Sequence, residues 1–158
     1  MPDMLVKLYT LPDPAPFIAR AQAAGVTVRR AIAPEKHVVV GWVLEAFGSI
    51  WASECEVAFS NHPPSCFIAV EGSNLLGFAC HEATCKNFFG PTGVHESARG
   101  KGIGAALLVT ALHDMRTQGY AYAIIGGVGP ADFYAQTVGA TLIDGSTPGI
   151  YAGLLHEM

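Results

Sequence analysis

Between Arg99 and Ala105 the chain sets two cationic side chains, Arg99 and Lys101, among three glycines, Gly100, Gly102 and Gly104. Apolar residues follow at four-residue spacing, Ile103, Leu107, Ala111 and Met115, with Leu108 and Leu112 beside them. That period predicts an amphipathic helix ending at Gly119, with the glycines at its head. Glycine is among the weakest helix formers, so its value here lies in bare backbone. A helix start leaves four N–H groups without intrahelical partners and carries partial positive charge. A Ser, Thr, Asp or Asn side chain usually caps them, and the nearest such residue, Ser97, lies too early. A ligand anion suits this place, and Arg99 and Lys101 add charge to it. The stretch has no Gly-Lys-Ser/Thr, which excludes a P-loop. Its glycine spacing departs from G-x-G-x-x-G, and Pro91 interrupts the preceding strand, which argues against a dinucleotide fold.

A second group of residues is suited to moving protons: His81, Glu82, His95 and Glu96. Histidine titrates near neutrality. On a strand His81 and Glu82 face opposite sides, so at most one of them serves a shared cleft. A third group is thiol-bearing. "CHEATC", Cys80 to Cys85, holds zinc-ligand types. Strand alternation separates His81 from Cys80 and Glu82, and no second ligand cluster follows, so no metal is expected. Cys66 starts an apolar run and reads as core. Cys85, beside Lys86, has the one electropositive setting among the four cysteines.

The elements that must position these groups follow from periodicity and breakers. Met4–Leu11 reads as a strand, Phe17–Ala24 as a short helix closed by Gly25, and Val26–Ile32 as a strand. Pro34 opens a helix whose Val39, Val43, Leu44 and Phe47 share a face, ended by Gly48. Another helix is expected over Ser53–Phe59. Two apolar runs flanking Glu71-Gly72-Ser73-Asn74 predict a hairpin. Phe88–Val94 is a strand interrupted by Gly90, Pro91 and Gly93, which marks an edge or a bulge. After the glycine-led helix come a buried strand, "YAYAIIGGV", a short helix, "PADFYAQTVGA", and a closing strand, turn and strand, "TLIDGSTPGIYAGLL". The order predicts an α/β (α+β) fold: a mixed, mostly antiparallel central sheet flanked by helices, antiparallel at one end and parallel toward the other.

The 158 residues suit one domain over residues 1–158 with a real core. Half the residues are apolar and the net charge is −4, with no basic stripe, so nucleic acid is not expected as a partner. The N-terminus lacks a basic region before a long apolar stretch, and Ile103–Leu112 is too short to span a bilayer. The expectation is a cytoplasmic protein, without membrane contact, whose cysteines are reduced and mostly buried.

The stretch "VHESARGKGIGAALL" resembles the acetyl-CoA motif of the GNAT (GCN5-related) N-acetyltransferases, Arg/Gln-x-x-Gly-x-Gly/Ala after a strand, with Arg99, Gly102 and Gly104 on its fixed positions. "PADFYAQTVGA" is similar to the family's late helix, and the element order agrees from Val26 onward. Three positions depart from the pattern: Glu96 where Pro is common, Ala140 where an aromatic is usual, and Gly129-Pro130 where many members carry Asn. The resemblance implies that Gly93, Val94, Arg99, Gly100, Lys101, Gly102, Ile103, Gly104 and Ala105 hold acetyl-CoA, the loop taking the pyrophosphate and the bulged strand the pantetheine arm. It implies that Tyr134 protonates the departing thiolate. His81 and Glu82 are then the candidate bases for an amine that attacks the thioester directly. Trp42, Phe47 and Trp51 would wall the cleft of the acceptor, a small-molecule amine or a peptide. A homodimer through "GIYAGLL" is a further expectation. A non-catalytic acyl-CoA-binding module is the alternative.

Overall fold

The computed structural model describes residues 1–158. Seven strands form one sheet: β1 Met4–Lys7, β2 Thr27–Arg30, β3 Cys66–Glu71, β4 Asn74–His81, β5 Phe88–Val94, β6 Tyr122–Ile125 and β7 Thr141–Leu142. Their order is β2-β3-β4-β5-β6-β1-β7. Every pair is antiparallel except β5 with β6. Five helices flank the sheet: α1 Ala15–Ala23, α2 Lys36–Phe47, α3 Ser49–Ser60, α4 Ile103–Thr117 and α5 Ala131–Val138. The mixed, mostly antiparallel sheet is therefore as expected. Its parallel pair, however, lies in mid-sheet with antiparallel ladders on both sides. No helix is long and apolar enough to cross a membrane.

The central strands are buried on both faces, which explains the unbroken apolar runs Cys66–Ala69 and Phe78–Cys80. Alternate residues go to separate cores. Phe67, Ala69 and Ala79 meet α4, while Cys66, Ile68, Phe78 and Cys80 meet α2 and α3. On α4, Ile103, Leu107, Ala111 and Met115 are at most 1% exposed. Burying each of the larger ones contributes roughly 2 kcal/mol. The β3–β4 hairpin turns through Gly72 and Ser73, with Gly72 at φ 60°, a torsion its missing Cβ allows.

Three elements differ from the sequence expectation. β1 stops at Lys7, and Leu8–Thr10 form a 3-10 turn. It also lies inside the sheet, between β6 and β7. α3 begins at Ser49, earlier than expected, and so takes Ile50 and Trp51 into the helix. "GIYAGLL" is not a strand: Gly149–Tyr151 make a 3-10 turn, and Gly149 and Gly153 adopt φ of 61° and 73°. Left-handed torsions at two glycines are incompatible with an extended run.

The feature that makes a site is the parting of β5 from β6. β5 pairs with β4 as far as Val94, but with β6 only at Phe88 and Phe89. Beyond that point one edge of β5 is open. The β4–β5 ladder also shifts register, so that Gly90 and Pro91 together stand opposite Cys80. The extra residue bends β5 at the mouth of the gap.

Candidate active site

A cleft of about 1150 Å³ fills the gap between β5 and β6. Its two ends are chemically opposite. At one end lie Arg99, Gly100, Gly102, Ile103, Gly104 and Ala105. Gly102 is the N-cap of α4 and no side chain caps the helix. The first helical bond runs from the Ala106 N–H to the Gly102 carbonyl at 3.1 Å, so the N–H groups of Ile103, Gly104 and Ala105 have no acceptor within the helix.

The three glycines have different physical reasons. Gly100 and Gly102 adopt φ of 83° and 76°, where a Cβ is strained. Gly104 is helical, and a Cβ there would meet only Val94 Cγ2 at 3.7 Å and Phe133 Cζ at 4.0 Å, ordinary contacts. Glycine in a helix is unfavourable by roughly 0.5–1 kcal/mol against alanine, and nothing in the protein demands it at this position. What Gly104 leaves open is the cleft. Gly93 also lines the cleft, but it has a packing reason as well: a Cβ would fall 2.4 Å from Phe47 Cζ.

The charge at this end is not the expected pair. Lys101 is exposed and does not line the cleft, whereas Arg20 of α1 does. The Arg20 guanidinium donates to the Gly100 carbonyl at 3.5 Å, and Arg99 Nε donates to the Val94 carbonyl at 3.4 Å. Arg20 lies eighty residues from the loop in sequence, so no local motif marks it.

Tyr134, on α5, lines the cleft and is 7% exposed. Burial alone pushes its hydroxyl up to about 12. It therefore stays protonated across the neutral range and keeps its O–H proton to donate.

The candidate bases do not reach the cleft. His81 is fully buried, and its Nε2–H donates to Asp114 Oδ2 at 2.7 Å. Asp114 also takes Arg30 Nη2 at 2.6 Å and Gln118 Nε2 at 3.0 Å. Burial pushes the Asp114 carboxyl up, but the bonds from His81 and Arg30 more than offset this and hold it below its ordinary value. The cluster ties β2 and β4 to α4. Glu82 follows β4 at φ 54° and accepts from the Asn87 N–H at 2.6 Å and the Tyr120 hydroxyl at 2.8 Å. His95 caps a 3-10 turn by accepting from the Ser97 N–H at 3.2 Å. Neither His95 nor Glu96 lines the cleft.

The carboxylate that does line the cleft is Glu54 of α3. It accepts a hydrogen bond from the Thr84 hydroxyl. Burial raises its carboxyl above the ordinary value, and the Thr84 bond works in the opposite direction. Trp51, one turn away, lines the same end with Ile50 and Tyr151. Phe47 packs on Trp51 at a ring distance of 5.2 Å and on Phe78 at 5.7 Å, and Trp42 packs on Phe47 at 5.6 Å and on Phe78 at 6.1 Å, but neither lines the cleft as expected. They support the wall and do not form it.

Metal-competent side chains lie elsewhere. The "CHEATC" ligands are not assembled: Cys85 is exposed and His81 is bound to Asp114. The Sγ atoms of Cys55, Cys66 and Cys80 do come within 4.8 Å of one another, but in the core beneath α3 and away from the cleft.

Known proteins bear on this arrangement. The glucosamine N-acetyltransferase region of a fungal multi-domain GH3 β-N-acetylglucosaminidase is similar in structure, with a TM-score of 0.74 at 16% identity over 90% of this chain and 19% of that one. A GCN5-related N-acetyltransferase from Sphaerobacter thermophilus gives 0.71 at 22% identity, over 90% of this chain and 48% of that one. Another from Kribbella flavida gives 0.59 at 19%, over 89% and 53%. The chain thus spans about half the length of the latter two and a fifth of the first. No curated protein matches it. The model of the acetyltransferase (GNAT) family matches residues 36–138. That match takes in the β5 edge, the glycine loop, α4 and Tyr134 together, and by it the chain belongs to the acetyltransferase (GNAT) family.

Proposed function

We propose that the chain is an acetyl-CoA-dependent N-acetyltransferase that passes the acetyl group directly to an amine. The observation that carries this reading is the cleft itself. An uncapped helix N-terminus, flanked by Arg20 and Arg99, opens onto the unpaired edge of β5 and leads past Tyr134. Family membership fits the donor to that seat.

The N–H groups of Ile103, Gly104 and Ala105 would take the coenzyme's pyrophosphate oxygens, with the two guanidinium groups neutralising charge. Gly104 keeps the approach open. The pantetheine arm would lie along Gly93 and Val94, where the edge of β5 still has backbone groups to offer. One N–H on that edge would hold the oxyanion formed when the amine attacks. Tyr134 then donates to sulfur as the C–S bond breaks. A free thiol titrates near ~8.5, so it is a stronger acid than a tyrosine held at about 12. Tyr134 stabilises the thiolate first by hydrogen bonding. The same dry cleft raises the thiol as well and narrows this gap, and the proton passes as the tyrosine regains one from the amide nitrogen.

No metal enters this scheme, and the acceptor is a small-molecule or peptide amine. Thermal-shift and calorimetric titration of the chain with acetyl-CoA, followed by thiol release with added amines, test the reading. Saturable binding with turnover supports it. Saturable binding without turnover on any amine favours a non-catalytic acyl-CoA-binding module. Preference for NAD or ATP over acetyl-CoA overturns both.

A further inference from the structure

The end of the cleft farthest from the glycine loop has no role in holding the coenzyme's phosphates. Its residues come from three distant segments: Ile50, Trp51 and Glu54 on α3, Thr84 in the β4–β5 loop, and Tyr151 in the C-terminal 3-10 turn. Glu54 is the acidic residue of the lining. The chain's carboxylate–cation pairs are Arg29–Glu35, Arg30–Asp114 and Lys36–Glu56, with His81 also on Asp114, so Glu54 has no cationic partner. Both arginines of the cleft, Arg20 and Arg99, stand at the other end. A half-buried carboxylate with one neutral hydrogen bond and no counter-ion is poorly compensated. A cation entering the cleft would compensate it.

Resting on the acetyl-transfer reading, we infer that Glu54 binds the acceptor as an ammonium and takes its proton, and that the acceptor is a cationic amine with an apolar or aromatic body. Trp51 and Ile50 supply the apolar wall, and the indole face suits a neighbouring cation. The step balances as follows. The ammonium N–H gives its proton to a Glu54 carboxylate oxygen. The freed nitrogen lone pair forms the C–N bond, and the carbonyl π pair moves to oxygen. Collapse breaks the C–S bond with its electron pair on sulfur. Tyr134 protonates the sulfur and recovers a proton from the amide nitrogen, while Glu54 releases its own to water.

Burial raises Glu54 and the Thr84 hydroxyl lowers it. The other titratable groups to weigh here are Tyr151 and the Met1 ammonium, which line the cleft, and Asp3 and Cys85, which do not; the Met1 ammonium lies within 4 Å of no carboxylate. The charge of Glu54 acts on Tyr151, as do those of Asp3 and Cys85. Asp3 accepts from the Gly127 N–H at 2.8 Å and, unlike Glu54, does not line the cleft. The reaction therefore has an acid limb above the ordinary carboxylate range that belongs to Glu54.

The test uses the full chain and the variants Glu54→Gln and Thr84→Val. Acetyl-CoA binding is measured by calorimetry, and thiol release is measured from pH 4 to 9 with 2-phenylethylamine, tryptamine, putrescine and glutamate. Wild type should turn over the cationic amines in preference to glutamate. Glu54→Gln should bind acetyl-CoA as wild type does, lose about 100-fold in kcat/KM for amines, and lose the acid limb. Thr84→Val should keep turnover with the limb moved to higher pH. If Glu54→Gln stays within about three-fold of wild type, or keeps the limb, the assignment of Glu54 is wrong. Acetyl-CoA binding by wild type without turnover on any of these amines also overturns it and leaves the coenzyme site standing. Failure of wild type to bind acetyl-CoA removes the acetyl-transfer reading, and the proposal with it.

Discussion

At the α4 end the cleft presents Arg20, Arg99 and three backbone N–H groups; at the α3 end it presents one carboxylate without a counter-ion. On the proposed reading the first end takes an anion largely through backbone, so its sequence mark is the missing side chains at Gly100, Gly102 and Gly104. The second end acts through a single side chain whose chemistry depends on being dried by neighbours. Glu54 sits in "SECEV", an unremarkable helical stretch, and its neighbours Thr84 and Tyr151 lie thirty and ninety-seven residues away. A backbone site is written locally. A desolvated side-chain site is written only in the fold.

The largest effect separating the two ends should come from Gly104→Val. An added Cβ makes only ordinary contacts, with Val94 and Phe133, so the fold should hold while the valine takes the space at the phosphate end of the cleft. We expect acetyl-CoA affinity to fall at least ~100-fold, about 2.7 kcal/mol, in a calorimetric titration, with a melting temperature near wild type. Normal affinity would break the assignment of this end. Gly102→Val is a less clean probe, because its φ of 76° adds strain.

Asp114→Ala asks whether His81 belongs to the far end after all. The substitution leaves Arg30 and His81 without their carboxylate. Stability should drop by about 2–3 kcal/mol, less than for a fully buried pair because Arg30 is partly exposed. The pH profile of turnover should keep its shape. A lost acid limb in this variant would return His81 to the chemistry.

Tyr134→Phe lies between the ends and should lower kcat by about 10- to 30-fold with acetyl-CoA affinity unchanged. Since its hydroxyl titrates at about 12, the deficit should be constant from pH 6 to 9. A deficit that varies over that range would mean that Tyr134 is itself ionising there. Arg20→Ala is smaller still: about a five- to tenfold rise in the KM for acetyl-CoA, screened by salt, with kcat retained.

How the two ends were legible has a physical basis. Arg99 to Ala105 are contiguous, so helix capping and glycine torsions are local questions, and the hydrophobic stripe of α4 followed from period alone. Lys101 is adjacent to the loop in sequence yet points to solvent, because adjacency does not say which way a side chain leaves the backbone. Arg20 took that place from α1. His81 and Glu82 carried the right chemistry for a base, but Asp114 on α4 and Tyr120 beyond it claim them. Those partners are thirty-three and thirty-eight residues away. β1 was correctly read as a strand, yet its seat between β6 and β7 depends on pairing that no local pattern encodes.

The smallest prediction bears on what Glu54 does to the fold. Its carboxyl is raised in the folded chain, so the folded state favours the neutral form more than the unfolded state does. The stability linked to this proton is present below the unfolded value and is lost as pH rises through the folded one. Glu54→Gln, which keeps the acceptor for Thr84 and removes the charge, should therefore melt slightly higher than wild type at pH 7. The gain should be under about 1 kcal/mol because the group is partly solvated, and should vanish near pH 4. The Arg20 end predicts no such gain, since its cations are exposed and solvated. A variant that is at once more stable and less active at neutral pH would mark Glu54 as a charge kept for the acceptor at the expense of the fold. Equal melting at both pH values would mean that water already satisfies it, and the contrast between the two ends would reduce to a difference in sign alone.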